Sequence, residues 1–414
     1  IRTVTDMRIL YIAYASSPYG GSEEAVGWNL PLAMSQEQGN EVYLITKVEQ
    51  KEAIEDYSSK HPELKLHVYY CDIPSFYKKI YKGYLYPGRH GIWLKRVVPM
   101  VRKLDTQYHF DVIHQIAPVE FRSLINLGKT DAVKLSGPQG GAEYAPKPLD
   151  RYLRPVALFE AVRRCSNWLI VHKPSFLKAY RSFDMHLFAN EESKQYFIDH
   201  GIDAQNDIVK TEVGCWPEAW KDHQRESHAI PHVLYVGRYI PRKGVELLLD
   251  ACTLLKEQGF TKYELRMCGW GHLEQNLRDE VAQRGLNNVT VLGKIPYTEM
   301  SEQYAWADFF VMPSVREATG VVLAEAMQNG LGVVTFSQGG AKVALNSKVC
   351  RYVDPQAGAQ GFADAMREWA EHSQTRPDEQ NIKACFESLT WPRRAEYYMH
   401  LYEKLIDGKH EEKA

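Results

Sequence analysis

Apolar residues along this chain gather in short runs broken by Gly, Pro and charged residues, and between the runs lie stretches in which apolar positions recur at helical spacing. The short runs read as strands covered on both faces, the spaced stretches as helices packed on one side. In the first half the strand candidates are RILYIAYA (8–15), EVYLITK (41–47), KLHVYYC (65–71), FDVIHQ (110–115), AVKLSG (132–137) and MHLFAN (185–190), with AVGWNLPLAMSQEQG (25–39) a helix that ends at a glycine. The second half restarts the alternation at HVLYVGR (232–238) and continues through YELRMCG (263–269), VTVLG (289–293), DFFVMPS (308–314) and LGVVTF (331–336). Its helices include VELLLDACTLLKEQG (245–259) and VVLAEAMQ (321–328), the latter stopped by Asn329-Gly330, a C-cap signature. Strand–helix alternation is the repeat of an open parallel sheet, so the chain is expected to be α/β, with two facing doubly wound Rossmann-like domains and a cleft between them. The expected division is a first domain over 7–210, a polar linker over 211–231, a second domain over 232–388, and a closing amphipathic, aromatic helix over 389–408.

Composition narrows this only a little. The 414 residues are 44% hydrophobic and 25% charged, enough for two or three domains with a full core. A formal charge of −2 gives no global field to recruit nucleic acid. Seven cysteines without CxxC spacing suggest a reduced, cytoplasmic chain, and no apolar run is long enough to span a bilayer. Residues 1–6 read as an extension before Met7, without the layout of a signal peptide.

Candidate chemistry sits where predicted strands end. Glu317 follows the strand 308–314, and Glu325 lies inside the next helix, with Gly320 and Val321 at its start. Ligands of open α/β sheets bind at that edge, and amides at a helix start favour anions. Taken alone, the two glutamates read equally as solvated surface residues. Arg238 ends a strand and Lys243 precedes a glycine and a helix, a pair suited to a diphosphate, although lysines near turns are common. Gly20-Gly21-Ser22 lets backbone approach a ligand closely or is a plain strand–helix turn; it lacks both the dinucleotide and the P-loop spacing. CGWGH (268–272) lacks the third glycine of a dinucleotide fingerprint.

The ordered set Arg-x4-Lys-Gly, VLGKIPYTEMSEQYAWADFFVMPS and Glu-x7-Glu resembles the retaining nucleotide-sugar glycosyltransferases of family 4, which have the GT-B fold. The resemblance is close over 232–345, looser over 7–50, and extends to LTWPRRAEYYMHLYEKL, which is similar to the family's last helix, packed back on the first domain. It implies that Arg238 and Lys243 hold the donor diphosphate, Glu325 the ribose hydroxyls, and Glu317 the donor sugar near the reacting carbon. Thr319, Gly320 and Val321 would offer amides to sugar and phosphate oxygens, Gly20 and Gly21 would close over the diphosphate, and Lys294 and Ile295 would receive the base. No DxD-like carboxylate pair suggests a metal site; the two cations and the helix end would serve instead, so neither metal nor cofactor is expected beyond a nucleotide-diphospho-sugar, a UDP-sugar by this reading, as substrate. Attack would come from the donor's front face, with Glu317 as covalent nucleophile the rival mechanism.

The chain departs from the family pattern in two places. Where relatives carry a histidine two positions beyond Asp-Val-x-His, this chain has Ile116, which leaves His114 as the nearest catalytic candidate or else a structural strand-end histidine. The usual aromatic between Glu317 and Gly320 is replaced by Thr319, which leaves the sugar open. GPQGGAE (137–143) is read as a further pocket loop. Residues 73–104 carry eight Lys/Arg, six aromatics and no Asp/Glu, suited to an anionic membrane surface and a lipid-linked or glycan acceptor; a solvated face, a soluble anionic acceptor and nucleic acid are the competing readings, the last without any accompanying module. The expected function is hexosyl transfer in cell-surface polysaccharide synthesis at the inner membrane face. A sugar-nucleotide epimerase and an inactive nucleotide-sugar-binding protein are the alternatives.

Overall fold

The computed structural model describes residues 6–21, 23–80, 87–221 and 228–411. Thirteen strands appear among them. β1 (Arg8–Ala13), β2 (Glu41–Lys47), β3 (Leu66–Cys71), β4 (Val112–Ala117), β5 (Val133–Gln139), β6 (Met185–Phe188) and β7 (Ile208–Val209) form one sheet in the order β3-β2-β1-β4-β5-β6-β7. β8 (His232–Val236), β9 (Glu264–Cys268), β10 (Val289–Gly293), β11 (Phe309–Met312), β12 (Val333–Phe336) and β13 (Cys350–Val353) form the other, in the order β10-β9-β8-β11-β12-β13. All the pairings are parallel. In each sheet the strand order reverses beside the first strand, between β1 and β4 and between β8 and β11. Such a switch point opens a crevice at the strands' carboxyl ends.

Period-two geometry explains the unbroken apolar runs. In the second sheet Val233, Tyr235, Phe309, Val311, Val334 and Phe336 pack into a core on one face, while Leu234, Phe310, Met312 and Val333 pack into a core on the other. A strand covered on both faces has no solvated positions to alternate with, so its sequence is apolar throughout.

The chain divides into two compact units that are not contiguous in sequence. The first is Ile1–Ala142, Ser166–Glu212 and Trp391–Ala414; the second is Glu143–Cys165 and Val213–Thr390. The segment 143–165, read from sequence as part of the first domain, thus groups with the second sheet. Its Leu149, Tyr152 and Leu153 are buried in the second unit's core, each burial contributing roughly 1.5–3 kcal/mol. Tyr152 also donates to Asp250 Oδ2 at 2.7 Å. The closing helix runs over Trp391–Glu411 within the first unit. There Tyr402 meets the Tyr11 hydroxyl at 3.0 Å and His114 Nδ1 at 2.6 Å, and Arg394 donates to the Thr211 carbonyl at 2.7 Å.

The basic stretch 73–104 folds as two helices, Ser75–Ile80 and Pro87–Tyr108, and its residues 81–86 lie outside the described residues. Much of its apolar content is core: Trp93, Val97, Val101 and Leu104 are buried in the first unit. Phe76, Tyr77 and Ile80 are exposed.

Candidate active site

β8 ends at Val236, and the chain passes through Arg238 into a short 3-10 turn, Pro241–Lys243, before the helix Val245–Glu257 begins. The join needs Gly244: its φ is +69°, and a Cβ there would lie 1.9 Å from the Pro313 carbonyl oxygen. Close approach of the two loops sets Lys243 beside Glu317, and the two form an ion pair with the side chains only 14% and 11% exposed. Arg242 adds a second cation 3.7 Å from the other carboxylate oxygen, and the Ser314 hydroxyl donates at 3.3 Å. Burial would raise the Glu317 carboxyl, but Lys243 and Arg242 outweigh it and hold Glu317 below the usual carboxylate range, as the anion. Burial draws the Lys243 ammonium below its ordinary value, and Glu317 opposes that shift.

The Glu317 loop is fixed from several sides. Backbone N–H groups of Val315 and Arg316 both donate to the Arg242 carbonyl, and the Gln338 amide donates to the carbonyls of Ser314 and Val315. Gly339, at φ +60°, is packed so closely that a Cβ would come 2.2 Å from the Glu317 carbonyl oxygen. Arg316 points the other way, into a buried ion cluster with Glu160 at 2.9 Å and Glu143 at 3.5 Å, and Arg163 joins Glu160 at 3.0 Å. The GPQGGAE stretch therefore contributes Glu143 to this cluster.

Eight residues past Glu317, Glu325 lies in the helix Val322–Gln328 and accepts from the Tyr304 hydroxyl at 2.6 Å. Burial pushes its carboxyl above the ordinary value, and Tyr304 partly offsets this. Thr319 is buried, Gly320 takes a φ of +82°, and Val321 leads into the helix. Lys294 is exposed and Ile295 packs on the second unit's core, both just after β10. Arg238 is exposed, its guanidinium 4.9 Å from the Trp270 ring centre. The fold thus brings Arg238, Lys243, Lys294, Ile295, Glu317, Thr319, Gly320 and Val321, on the segments that follow the strands, and Glu325, in the helix after the Glu317 loop, to one sheet.

The remaining candidates lie in the first unit. Gly20 and Gly21 form a turn after β1, stapled by Glu24 N–H to the Gly21 carbonyl at 3.2 Å. A Cβ on Gly21 would meet nothing within 4 Å. His114 sits mid-strand in β4, fully buried, with Nδ1 on Tyr402 and Nε2 2.9 Å from the Gly137 carbonyl. Burial lowers its pKa to about 3, so the ring is neutral. Both nitrogens are engaged inside the unit, so His114 acts here as a structural histidine, and the catalytic alternative has no free nitrogen to work with.

Among the described residues, His228, His232 and Asp308 have metal-ligand spacing, their ligand atoms within 4.8 Å of one another. Asp308 already takes Arg376 at 3.2 Å and the His232 N–H at 2.7 Å, and the group lies at the opposite, amino edge of the second sheet. It plays no part in the Glu317 site.

Residues 218–383 match the family described as Glycosyl transferases group 1. The matched residues lie within the second unit. The amylovoran biosynthesis glycosyltransferase AmsK of Erwinia amylovora is 29% identical over 46% of this chain and 49% of that protein. This chain thus spans about half the length of the curated relatives it matches. Among solved structures, the apo lipopolysaccharide outer core galactosyltransferase WaaB superposes with a TM-score of 0.62 at 15% identity, covering 99% of this chain and all of that one. HepE of Anabaena in complex with UDP-glucose superposes with a TM-score of 0.55 at 16% identity, covering 95% and 99%. At such identities the likeness concerns the fold, which is GT-B: two Rossmann-like parallel sheets.

Several residues of the site escaped sequence reading. Arg242 stands next to Lys243 and could have been counted with it. Gln338 and Gly339-Gly340 form a polar-glycine turn after β12, a signal visible in the sequence. Tyr304, and above all the Arg316 cluster with Glu143 and Glu160, depend on packing between distant segments that no local pattern announces.

Proposed function

We propose that this chain is a retaining, metal-independent hexosyltransferase that moves a sugar from a UDP-sugar to a glycan or lipid-linked acceptor in cell-surface polysaccharide synthesis, at the inner face of the membrane. The observation that carries this reading is that Arg238, Lys243 and Glu317, on the segments that follow two strands of one sheet, and Glu325, in the helix after the Glu317 loop, belong to the same sheet. Departure of a nucleoside diphosphate puts negative charge on its phosphates, and Arg238 and Lys243 would stabilise that charge; one well-placed donor is worth roughly 3–4 kcal/mol. Glu325, backed by Tyr304, suits the ribose hydroxyls, and the amides of Thr319, Gly320 and Val321 the sugar and phosphate oxygens. Gly20 and Gly21 would meet the diphosphate, and Lys294 with Ile295 the base.

Glu317 is already engaged by two cations and a hydroxyl. A carboxylate so neutralised is a poor nucleophile, which favours front-face attack, with the leaving phosphate oxygen taking the acceptor's proton. The names of AmsK, of WaaB and of the UDP-glucose complex of HepE support the substrate class. Exposed Phe76, Tyr77 and Ile80 support a membrane role for the stretch 73–104, and among the described residues no helix is long and apolar enough to cross a bilayer. The test is a thermal-shift screen of UDP-, GDP- and ADP-sugars, followed by transfer of labelled sugar from the stabilising donor to a lipid extract. Stabilisation by a UDP-sugar with transfer supports the reading; turnover without any acceptor points to an epimerase, and binding without turnover to an inactive binding protein.

A further inference from the structure

The helix Ala157–Val171 is built inside out. Its buried positions carry Glu160, Asn167 and Val171, and Arg163 lies alongside them. Glu160 is tied to Arg316, and Asn167 takes the Arg122 guanidinium at 2.9 Å. Its outer face carries Leu158, Phe159, Val162, Trp168 and Leu169, exposed by 80%, 64%, 59%, 51% and 56%. A helix on a water-facing surface shows the reverse pattern, polar outward and apolar inward. Contiguous apolar exposure of this kind marks a face that something covers.

Charge identifies what covers it. Within the second unit, from Arg151 to Cys165, the exposed residues include Arg151, Arg154 and Arg164 and no carboxylate. Beside the start of the helix lies a cavity of about 390 Å³ that Lys147, Arg151, Arg154 and Arg164 line together with Asp150 and Glu160. Arg151 and Arg164 have carboxylate partners, at 3.2 and 3.1 Å; among the described residues no ion pair is formed by Lys147 or Arg154. A second copy of the chain is a poor occupant, because a two-fold interface would set this cationic rim against itself. Nucleic acid would use the cations and leave the aliphatic side chains uncovered. An anionic bilayer satisfies both: acyl chains for the leucines and phenylalanine, headgroup phosphates for the cations, and the interface for Trp168.

We infer that the outer face of the helix Ala157–Val171 is a membrane-docking surface that lies in the plane of an anionic bilayer, with its basic rim on the lipid phosphates. This surface is separate from the stretch 73–104, and its measurement does not use the transfer reaction, so it stands or falls apart from the proposed activity. Cys165 lies on the exposed side of this helix, while the other six cysteines are buried, which allows an environment-sensitive fluorophore to be placed there alone. The full chain, so labelled, is mixed with vesicles of phosphatidylcholine alone or with phosphatidylglycerol. Expected are a blue-shifted, stronger emission and co-sedimentation with the anionic vesicles only. Leu158→Gln/Phe159→Gln/Leu169→Gln, unlabelled and with an unchanged circular dichroism spectrum, should lose partitioning by about tenfold or more. Lys147→Gln/Arg154→Gln/Arg164→Gln should lose the preference for anionic lipid. Undiminished sedimentation of the apolar triple variant, emission that stays at its aqueous position, or a dimer that this triple variant dissolves would each overturn the inference.

Discussion

Lys243 and Glu317 hold each other in two charge states that burial alone would oppose. Lys243→Ala is expected to lower turnover of the donor by about 10²–10³-fold, with a smaller loss of UDP affinity, because its charge matters most when the phosphate leaves. Kinetics with the stabilising donor, beside calorimetry with UDP, separate the two. Glu317 has its pKa depressed by its cations, so the stability it contributes is present above the ordinary carboxyl pKa and disappears as pH falls through the lower folded value. Glu317→Gln should therefore unfold with a flatter acid limb than the parent, and equal acid limbs would show that the ion pair does not stabilise. Glu325→Ala should weaken UDP binding by roughly 1.5–3 kcal/mol, about 10- to 150-fold, with Tyr304→Phe costing less. At this scale the sequence was informative wherever a residue's role is set by its own loop: Arg238, Lys243, Glu317 and Glu325 all follow strands whose apolar runs are unmistakable. It was silent where the partner is remote. Nothing in the residues around Arg316 shows that it turns to Glu143 and Glu160, and nothing around His114 shows that Tyr402, from the last helix, occupies its Nδ1.

Elements were legible in proportion to how fully they are buried. β8 to β12 matched their apolar runs because both faces are covered, and the helix 245–259 matched because a single face is; β13, an edge strand with Arg351 exposed, went unread. The segment 143–165 was misplaced because its code is mixed: Leu149, Tyr152 and Leu153 seek the second core, while the helix beginning at Ala157 turns its polar side inward. Arg316 is what fastens this helix to the Glu317 loop. Arg316→Ala leaves Glu143 and Glu160 short of a cation in a buried cluster, and a loss of about 3 kcal/mol is expected, seen as a lower unfolding temperature together with reduced donor turnover. Unchanged stability would mean that the cluster is solvated in solution. Gly244→Ala tests the neighbouring loop: the added Cβ collides with the Pro313 carbonyl, so the variant should lose stability and displace Lys243.

On the scale of the whole chain, the alternation of strands and helices disclosed two parallel sheets, since each sheet is completed by nearby sequence. The return of the closing helix to the first unit was expected from the family resemblance; what the alternation could not disclose is that residues 143–165 belong with the second unit. Removing the helix Trp391–Glu411 should uncover Tyr11 and strip a partner from His114; the shortened chain is expected to bind the fluorescent dye used to report exposed apolar surface, and a cooperative, native-like unfolding transition would contradict this. The same exchange of pieces bears on how such proteins can be recombined. A breakpoint near residue 212 does not yield interchangeable halves, because the rear half would arrive without residues 143–165 and the front half without residues 391–411. A working chimera that exchanges the second unit, which carries the proposed donor site, would have to transplant two separate segments together, residues 143–165 and 213–390.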